Sequence, residues 1–452
     1  MKTSLTLALT LILTACAAGP DYKKPPMDIP ASFREAGSWK PAAPRLPQSG
    51  WWEIYGDPVL TALEQQVSIS NQNIKAAEAA LREAEAAEAA ARADFFPALS
   101  ASASFSRGGK NGDAENSAAL KGAASWAPDV WGRLRRQAES ANAETEATKS
   151  DLAAATLSVQ ATLARTYFQL RCADVLASLR KDAAKARARA KEIAANQYKA
   201  GLVTKADLAA AEAARAQAEA SALSAEATRR NLEHALAVLA GRLPATFSLV
   251  PAGDTPALPG ALPGVLPAAL LERRPDIAAA ERRTAAANAK IGVAEAAYFP
   301  DITLSAAGGF EAAAFGGLIA APHQVWSLGP AAALALFDGG ARRAAVSAAE
   351  AARDRQAALY RQTVLDAFRE AEDALSTLAL GAQEEKLRED AARAAAESLR
   401  LATNQYAAGT TGFSAVLTAQ TEELGARESS LAARQNRLLA SVDLIAAIGG
   451  GW

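Results

Sequence analysis

Residues able to carry chemistry are scarce in this 452-residue chain, which has two cysteines, Cys16 and Cys172, and two histidines, His234 and His323. The histidines stand in unrelated contexts. They make no pair at zinc-ligand spacing and no nucleophile–base arrangement with a Ser or Cys. The 49 acidic residues are scattered among 48 Lys and Arg within alanine-rich stretches, the pattern of solvated helix faces rather than of paired catalytic carboxylates. A net charge of −1 gives no reason to expect nucleic acid as a partner. Cys172 lies in an alanine-rich helical context and reads as a small buried residue without a disulfide partner. The composition argues against an enzyme, and no metal or cofactor site is expected.

Cys16 is different. Lys2 precedes an uncharged run from Thr3 to Ala15, the layout of a secretory signal and too short to span a membrane as a mature helix. Leu13-Thr14-Ala15-Cys16 resembles the lipobox of bacterial lipoproteins, which implies cleavage before Cys16 and acylation of its thiol. Each methylene buried in lipid is worth about 0.8 kcal/mol. Residues 1–15 are therefore expected to be a lipoprotein signal peptide. Residues 16–56, with Pro20, Pro25, Pro26, Pro30, Pro41, Pro44 and Pro47, are expected to form an extended lipidated tether.

The elements behind these residues are written twice. Asn73-Ile74-Lys75-Ala76-Ala77-Glu78 matches Asp276-Ile277-Ala278-Ala279-Ala280-Glu281, and Phe95-Phe96-Pro97 matches Tyr298-Phe299-Pro300, both at an offset of 203. Gln197-Tyr198-Lys199-Ala200-Gly201 matches Gln405-Tyr406-Ala407-Ala408-Gly409 at 208. An internal repeat of this kind divides the chain into residues 57–250 and 267–452, joined by a proline-rich linker at 251–266.

Each half carries the same punctuation. An Ala/Glu-rich helix (Pro58–Asp94; Pro267–Ala297) stops at a Phe-Pro step, and the second is signalled by Pro275 and Asp276 in a first helical turn. A hairpin comes next, spanning 97–131 in one half and 300–337 in the other. Leu99, Ala101, Ala103 and Phe105 alternate with Ser100, Ser102, Ser104 and Ser106, and the return is read as Ala118–Trp131 after a turn through Gly108–Asp113. In the second half Ile302–Phe310 runs out and Val325–Phe337 returns. Ala312–Phe337 is uncharged and long enough for a membrane helix, but Gly316, Gly317, Pro322, Gly329 and Pro330 make it a loop and a strand. Then come very long helices, Gly132–Gln197 and Ala341–Asn404, on the order of 100 Å by helix rise. They turn at Gly201 and at Gly409/Gly412 into returning helices Ala206–Ala240 and Phe413–Ile448.

Four strands per chain cannot close a membrane barrel, and an open sheet edge is not tolerated in lipid. Several chains must share one barrel, continued by the helices. The doubled plan, the Leu-Thr-Ala-Cys motif, Leu270–Ile277 (LLERRPDI), Tyr298-Phe299-Pro300, Leu336–Gly340 (LFDGG) and the paired Tyr-x-x-Gly turns resemble the TolC-type outer membrane factor family, and within it the lipoprotein branch of OprM- and NodT-like efflux components. The resemblance covers essentially the whole chain. It implies an α+β membrane channel, with each chain giving a four-stranded share of a trimeric 12-stranded β-barrel and long α-helices to a periplasmic α-barrel. Its partners would be two further copies, a periplasmic adaptor, an inner-membrane pump of the resistance-nodulation-division type and outer membrane lipid. Ala17, which is not the aspartate that retains many lipoproteins in the inner membrane, agrees with an outer-membrane address.

Tyr198, Gly201, Asp207, Tyr406, Gly409, Gly412 and Thr418 are then expected at the periplasmic tips, where the tunnel closes and the adaptor docks. One departure stands out. The family often carries Leu-Asp-Ala-Gln in the second returning helix, and here the match is Leu417-Thr418-Ala419-Gln420, so a carboxylate is missing while Asp207 in the first half supplies one. Two other readings stay open: the exit duct of a type I protein secretion system, and a non-conducting trimeric coiled-coil lipoprotein. The paired hairpins argue against the second.

Overall fold

The structure, a computed structural model, describes residues 17–35, 50–110, 113–259, 273–314, 316 and 318–450. Cys16 with its signal, Pro41 to Pro47, Asn111 and Gly112, Gly317, residues 260–266 of the linker and Leu270–Glu272 lie outside these residues. The helices are α1 (Pro58–Ser70), α2 (Gln72–Ala93), α3 (Arg133–Lys199), α4 (Lys205–Leu239), α5 (Pro275–Ala296), α6 (Ala341–Ala407) and α7 (Phe413–Ala447). The strands are β1 (Ala98–Lys110), β2 (Asp113–Trp126), β3 (Asp301–Ala312) and β4 (Gln324–Ala333). Equivalent helices have equal lengths: 22 residues for α2 and α5, 67 for α3 and α6, 35 for α4 and α7. No described helix is long and apolar enough to cross a membrane.

The chain divides into two compact units. The first takes its described residues from 17–27, 78–151 and 276–363, and with them the four-stranded sheet. Its four strands run antiparallel in the order β1-β2-β3-β4. The register departs from the expected hairpins in two ways. Gly108 and Gly109 belong to β1, paired with Glu115 and Ala114, rather than to a turn. Both return strands end early, β2 at Trp126 and β4 at Ala333, each about five residues short of the sequence reading. The Phe-Pro steps contribute: β3 starts after Pro300, so β4 runs out of partner at Ala333. β1 starts after Pro97, so β2 loses that neighbour after Ser125, keeps Leu304 of β3 at Trp126 and stops before Pro128. Leu336 and Phe337 fall beyond the ladder and are exposed.

The N-terminal segment of this unit is extended, but it is fastened rather than free. Ala18 N donates to Trp131 O (3.0 Å). Arg136, nearly buried, donates to Ala18 O and Gly19 O and pairs with Asp21 (2.9 Å). Asn288 donates to Pro20 O and Tyr22 to the Glu281 carboxylate (2.6 Å). Gly19, in the left-handed region at φ 89°, lies so close to Gly292 that a side chain would strike its backbone.

The second unit contains residues 28–77, 152–275 and 364–452. Its core gathers Leu60, Val67, Leu163, Phe168, Leu170 and Leu236 with Val442 and Ile445, all buried. Each such side chain withdrawn from water contributes about 1.5–3 kcal/mol. The expected single helix Pro58–Asp94 is broken at Asn71, whose backbone is extended (ψ 129°). The Asn71 side chain accepts from Asn73 N and Ile74 N, capping α2, and donates to Leu239 O (2.8 Å). At the equivalent place in the second half, Arg274 donates to Ala447 O (3.1 Å) and pairs with Glu370. Arg274 thus serves packing beside the helix start at Pro275. Cys172 is buried, as expected, and burial pushes its thiol up to about 12.

Deep in the same unit, Asp174 accepts from Arg229 Nε (2.7 Å), Arg171 Nη1 (3.2 Å) and Ala252 N (2.9 Å). Its side chain is fully enclosed and both arginines are nearly so. Removing one member of such a cluster strands buried charge, at a cost of about 3–5 kcal/mol. Asp174→Ala is expected to lower unfolding stability by that amount, read from chemical denaturation of the purified protein. A loss under about 1 kcal/mol, the exposed-pair value, would refute the role.

Candidate functional site

The two helix reversals expected from the sequence have the same backbone geometry. At the end of α3, Gly201 N donates to Tyr198 O and Leu202 N to Gln197 O. At the end of α6, Gly409 N donates to Tyr406 O and Thr410 N to Gln405 O. Both pairs form the Schellman pattern, with the glycine in the left-handed region at φ 72°. A Cβ at either glycine would meet nothing within 4 Å, so the requirement for glycine is purely conformational.

Side chains tie the reversals together. The Tyr406 hydroxyl donates to Gln197 Oε1 (3.1 Å) and accepts from Gln197 Nε2 (2.9 Å), joining α6 to α3. The Tyr406 ring lies 5.5 Å from Phe413 at the start of α7. Tyr198 is half-exposed and is not brought into this cluster.

The returning helices start differently. Thr204 caps α4 in a capping box: its hydroxyl accepts from Asp207 N, and the Asp207 carboxylate accepts from Thr204 N and Oγ1. These hydrogen bonds hold the Asp207 carboxyl below its usual range. The acid singled out as a stand-in gate carboxylate is thus occupied in its own cap. At the equivalent place Gly412 caps α7 with no side-chain bond, and Ala415 replaces the acid.

Thr418 lines a groove of about 390 Å³ between α3, α4 and α7. Its hydroxyl donates to Ser414 O on its own helix (3.1 Å). The groove also holds charges that sequence reasoning did not select. Arg180 forms a two-pronged pair with Glu428 (2.6 and 3.2 Å). Arg187 Nη2 donates to Leu417 O (3.2 Å) and Thr421 Oγ1 (2.9 Å), and burial lowers its basicity. In sequence these residues look like any charged helix face; only the neighbouring helices distinguish them.

In the other unit, register sorts the sheet into two faces. Pairing aligns Leu99 with Ala124, Phe105 with Ala118, Leu120 with Phe310, Trp126 with Leu304, Ala306 with Leu328 and Gly308 with Trp326. Because side chains alternate, these residues share one face. Ser100, Ser102, Ser104, Ser106, Lys121, Ser125, Ser305 and Glu311 share the other, where Lys121 pairs with Glu311 at 2.7 Å. Leu99, Trp326 and Leu328 are each more than three-quarters exposed in the single chain. The sheet is apolar on one side, hydroxyl-lined on the other, and among the described residues unpaired along β1 and β4. Among the described residues no cluster could hold a metal ion.

Known proteins share this arrangement. The family model for outer membrane efflux proteins matches residues 63–242 and 266–450. The toluene efflux pump outer membrane protein TtgC of Pseudomonas putida is 28% identical, over 100% of this chain and 96% of that protein. Nodulation protein T of Rhizobium leguminosarum bv. trifolii is 30% identical over 88% of this chain and 87% of its own. The outer-membrane channel OprN superposes with a TM-score of 0.89 at 32% identity, covering 97% of this chain and 100% of that one. The open state of the Neisseria gonorrhoeae MtrE outer membrane channel gives 0.86 at 29% identity, over 96% and 98%. Matched by the family model over most of its length and superposing on these channels along nearly the whole chain, the protein belongs to the outer membrane efflux protein family.

Proposed function

We propose that the protein is the outer membrane channel of a tripartite efflux system, a passive exit duct for small toxic compounds. Three copies close one 12-stranded barrel, with the Leu99–Trp326 face toward lipid and the serine-lined face toward the lumen. The helices continue it into the periplasm, where an adaptor delivers compounds from an inner-membrane pump of the resistance-nodulation-division type. The observation that carries this reading is the sheet: apolar on one face, polar on the other and unpaired at both edges, it satisfies its backbone in a bilayer only by pairing with further copies. A duct of this kind asks no covalent step of any residue. The name of the relative TtgC, a toluene efflux pump component, supports apolar toxicants as the substrate class.

Cys16 carries the lipid in this reading, and the fastening of residues 18–22 holds the acylated terminus against the sheet-bearing unit. Intact mass of the purified protein should correspond to a chain starting at Cys16 with acyl chains added. An unmodified Cys16 removes the anchor.

Purified protein in a planar bilayer should conduct ions, and a deletion strain should become sensitive to a panel of toxic compounds. A non-conducting particle would sink the duct, and loss of protein secretion with unchanged drug sensitivity would move the cargo to polypeptides.

Tyr198, Gly201, Asp207, Tyr406, Gly409, Gly412 and Thr418 are assigned to the tip and gate region. Gly201→Val and Gly409→Val each force a side chain into a left-handed position, costing roughly 1–2 kcal/mol. Such trimers should assemble and reach the outer membrane, yet fail to restore resistance. Crosslinks to the adaptor from Lys205 or Ser414 should be lost with it. Full resistance from an assembled double variant discards the docking role.

A further inference from the structure

Arginines enclosed in this molecule normally meet a carboxylate: Arg171 and Arg229 meet Asp174, Arg136 meets Asp21 and Arg180 meets Glu428. Arg187 does not. Its bonds run from Nη2 to a carbonyl and a hydroxyl, both neutral, and among the described residues no carboxylate lies within ion-pair distance and Nε and Nη1 have no acceptor. Thr418 and Thr421 cannot supply a counter-charge, and their hydroxyl protons are already given to Ser414 O and Leu417 O. Ser221 and Gln217 line the same groove and, among the described residues, have no hydrogen-bond partner. The second charge pair in the groove, Arg180–Glu428, is self-neutralised. The groove is left with one unbalanced positive charge, a half-buried guanidinium with free Nε–H and Nη1–H groups, and two idle neutral donors.

We propose that this groove is a binding site for a small oxyanion, carboxylate or phosphate in chemistry, held by the free N–H groups of Arg187 with Ser221 and Gln217 as neighbouring donors. The unneutralised guanidinium attracts an anion, and a hydrogen bond to a charged partner is about twice as strong as a neutral one. Its volume admits a phosphate or citrate. The site stands whether or not the duct reading does.

The test is calorimetric titration of the full-length protein in detergent with inorganic phosphate and with citrate, at constant ionic strength. Saturable binding is expected in the wild type. Arg187→Gln should abolish it. Thr421→Asp should abolish it too, because a carboxylate at the position that now accepts from Arg187 neutralises the guanidinium from within. Glu428→Gln, which releases Arg180 into the groove, should tighten it severalfold. Elution at the wild-type size shows that each variant is folded. Wild-type affinity in folded Arg187→Gln overturns the proposal. So does absence of saturable binding of both anions to the wild type, the result expected if the groove instead awaits an acidic side chain of a partner protein.

Discussion

An antiparallel sheet with two open edges and one apolar face is not a finished object. Every strand edge exposes a row of N–H and C=O groups, and each one left unbonded in hydrocarbon costs several kcal/mol. The apolar face adds the opposite demand, since Leu99, Trp326 and Leu328 stand far more exposed than a monomer in water supports. These demands are met together only inside a membrane and in company with other copies. The helices follow from that constraint, because each strand pair must enter and leave on the same side. The Phe-Pro steps at Pro97 and Pro300 mark where helix gives way to ladder.

The second organising feature is the repeat, which preserves positions more strictly than residue types. Asn71 and Arg274 share neither charge nor size, yet both reach the carbonyl of the last residue of a returning helix, Leu239 and Ala447. The glycines at 241 and 449 also correspond, each held in the left-handed region by the same two hydrogen bonds. Equal helix lengths keep these junctions in step, so a deletion in one long helix would carry its reversal out of register with the other half.

Much of this could be read from the residues. The offsets of 203 and 208, the serine alternation and the Tyr-x-x-Gly reversals located strands, long helices and turns to within a few residues, because they are local signals. Most of the failures were non-local. The break at Asn71 has a local signal that sequence reasoning missed, an asparagine suited to capping α2, and a carbonyl 168 residues away fixes it further. The early end of β4 depends on where its partner β3 begins. The fastening of residues 18–22 uses Arg136, Glu281 and Asn288, none of them near in sequence. At the candidate site the turns were legible, but the groove was not, since Arg187 differs from its neighbours only in lacking a carboxylate across the helix interface. Glu64 is a further case: fully buried with no partner among the described residues, its carboxyl is pushed up to about 9 by burial, and an isolated Glu within α1 gives no hint of that.

The two reversals are alike in backbone and unlike in the helix starts they lead into. The helix after Gly201 begins with a reciprocal Thr204–Asp207 cap, while the one after Gly409 begins at Gly412 without a side-chain bond. A glycine cap is weaker than a threonine cap by only a few tenths of a kcal/mol, but α7 also lacks the reciprocal acid that Asp207 supplies to α4, so the start of α7 unwinds somewhat more readily than that of α4. In a closed ring of three chains the six reversals would alternate between firm and loose. Dilation would then begin at three places rather than six, giving the aperture threefold symmetry where the duplicated backbone, taken alone, approximates sixfold.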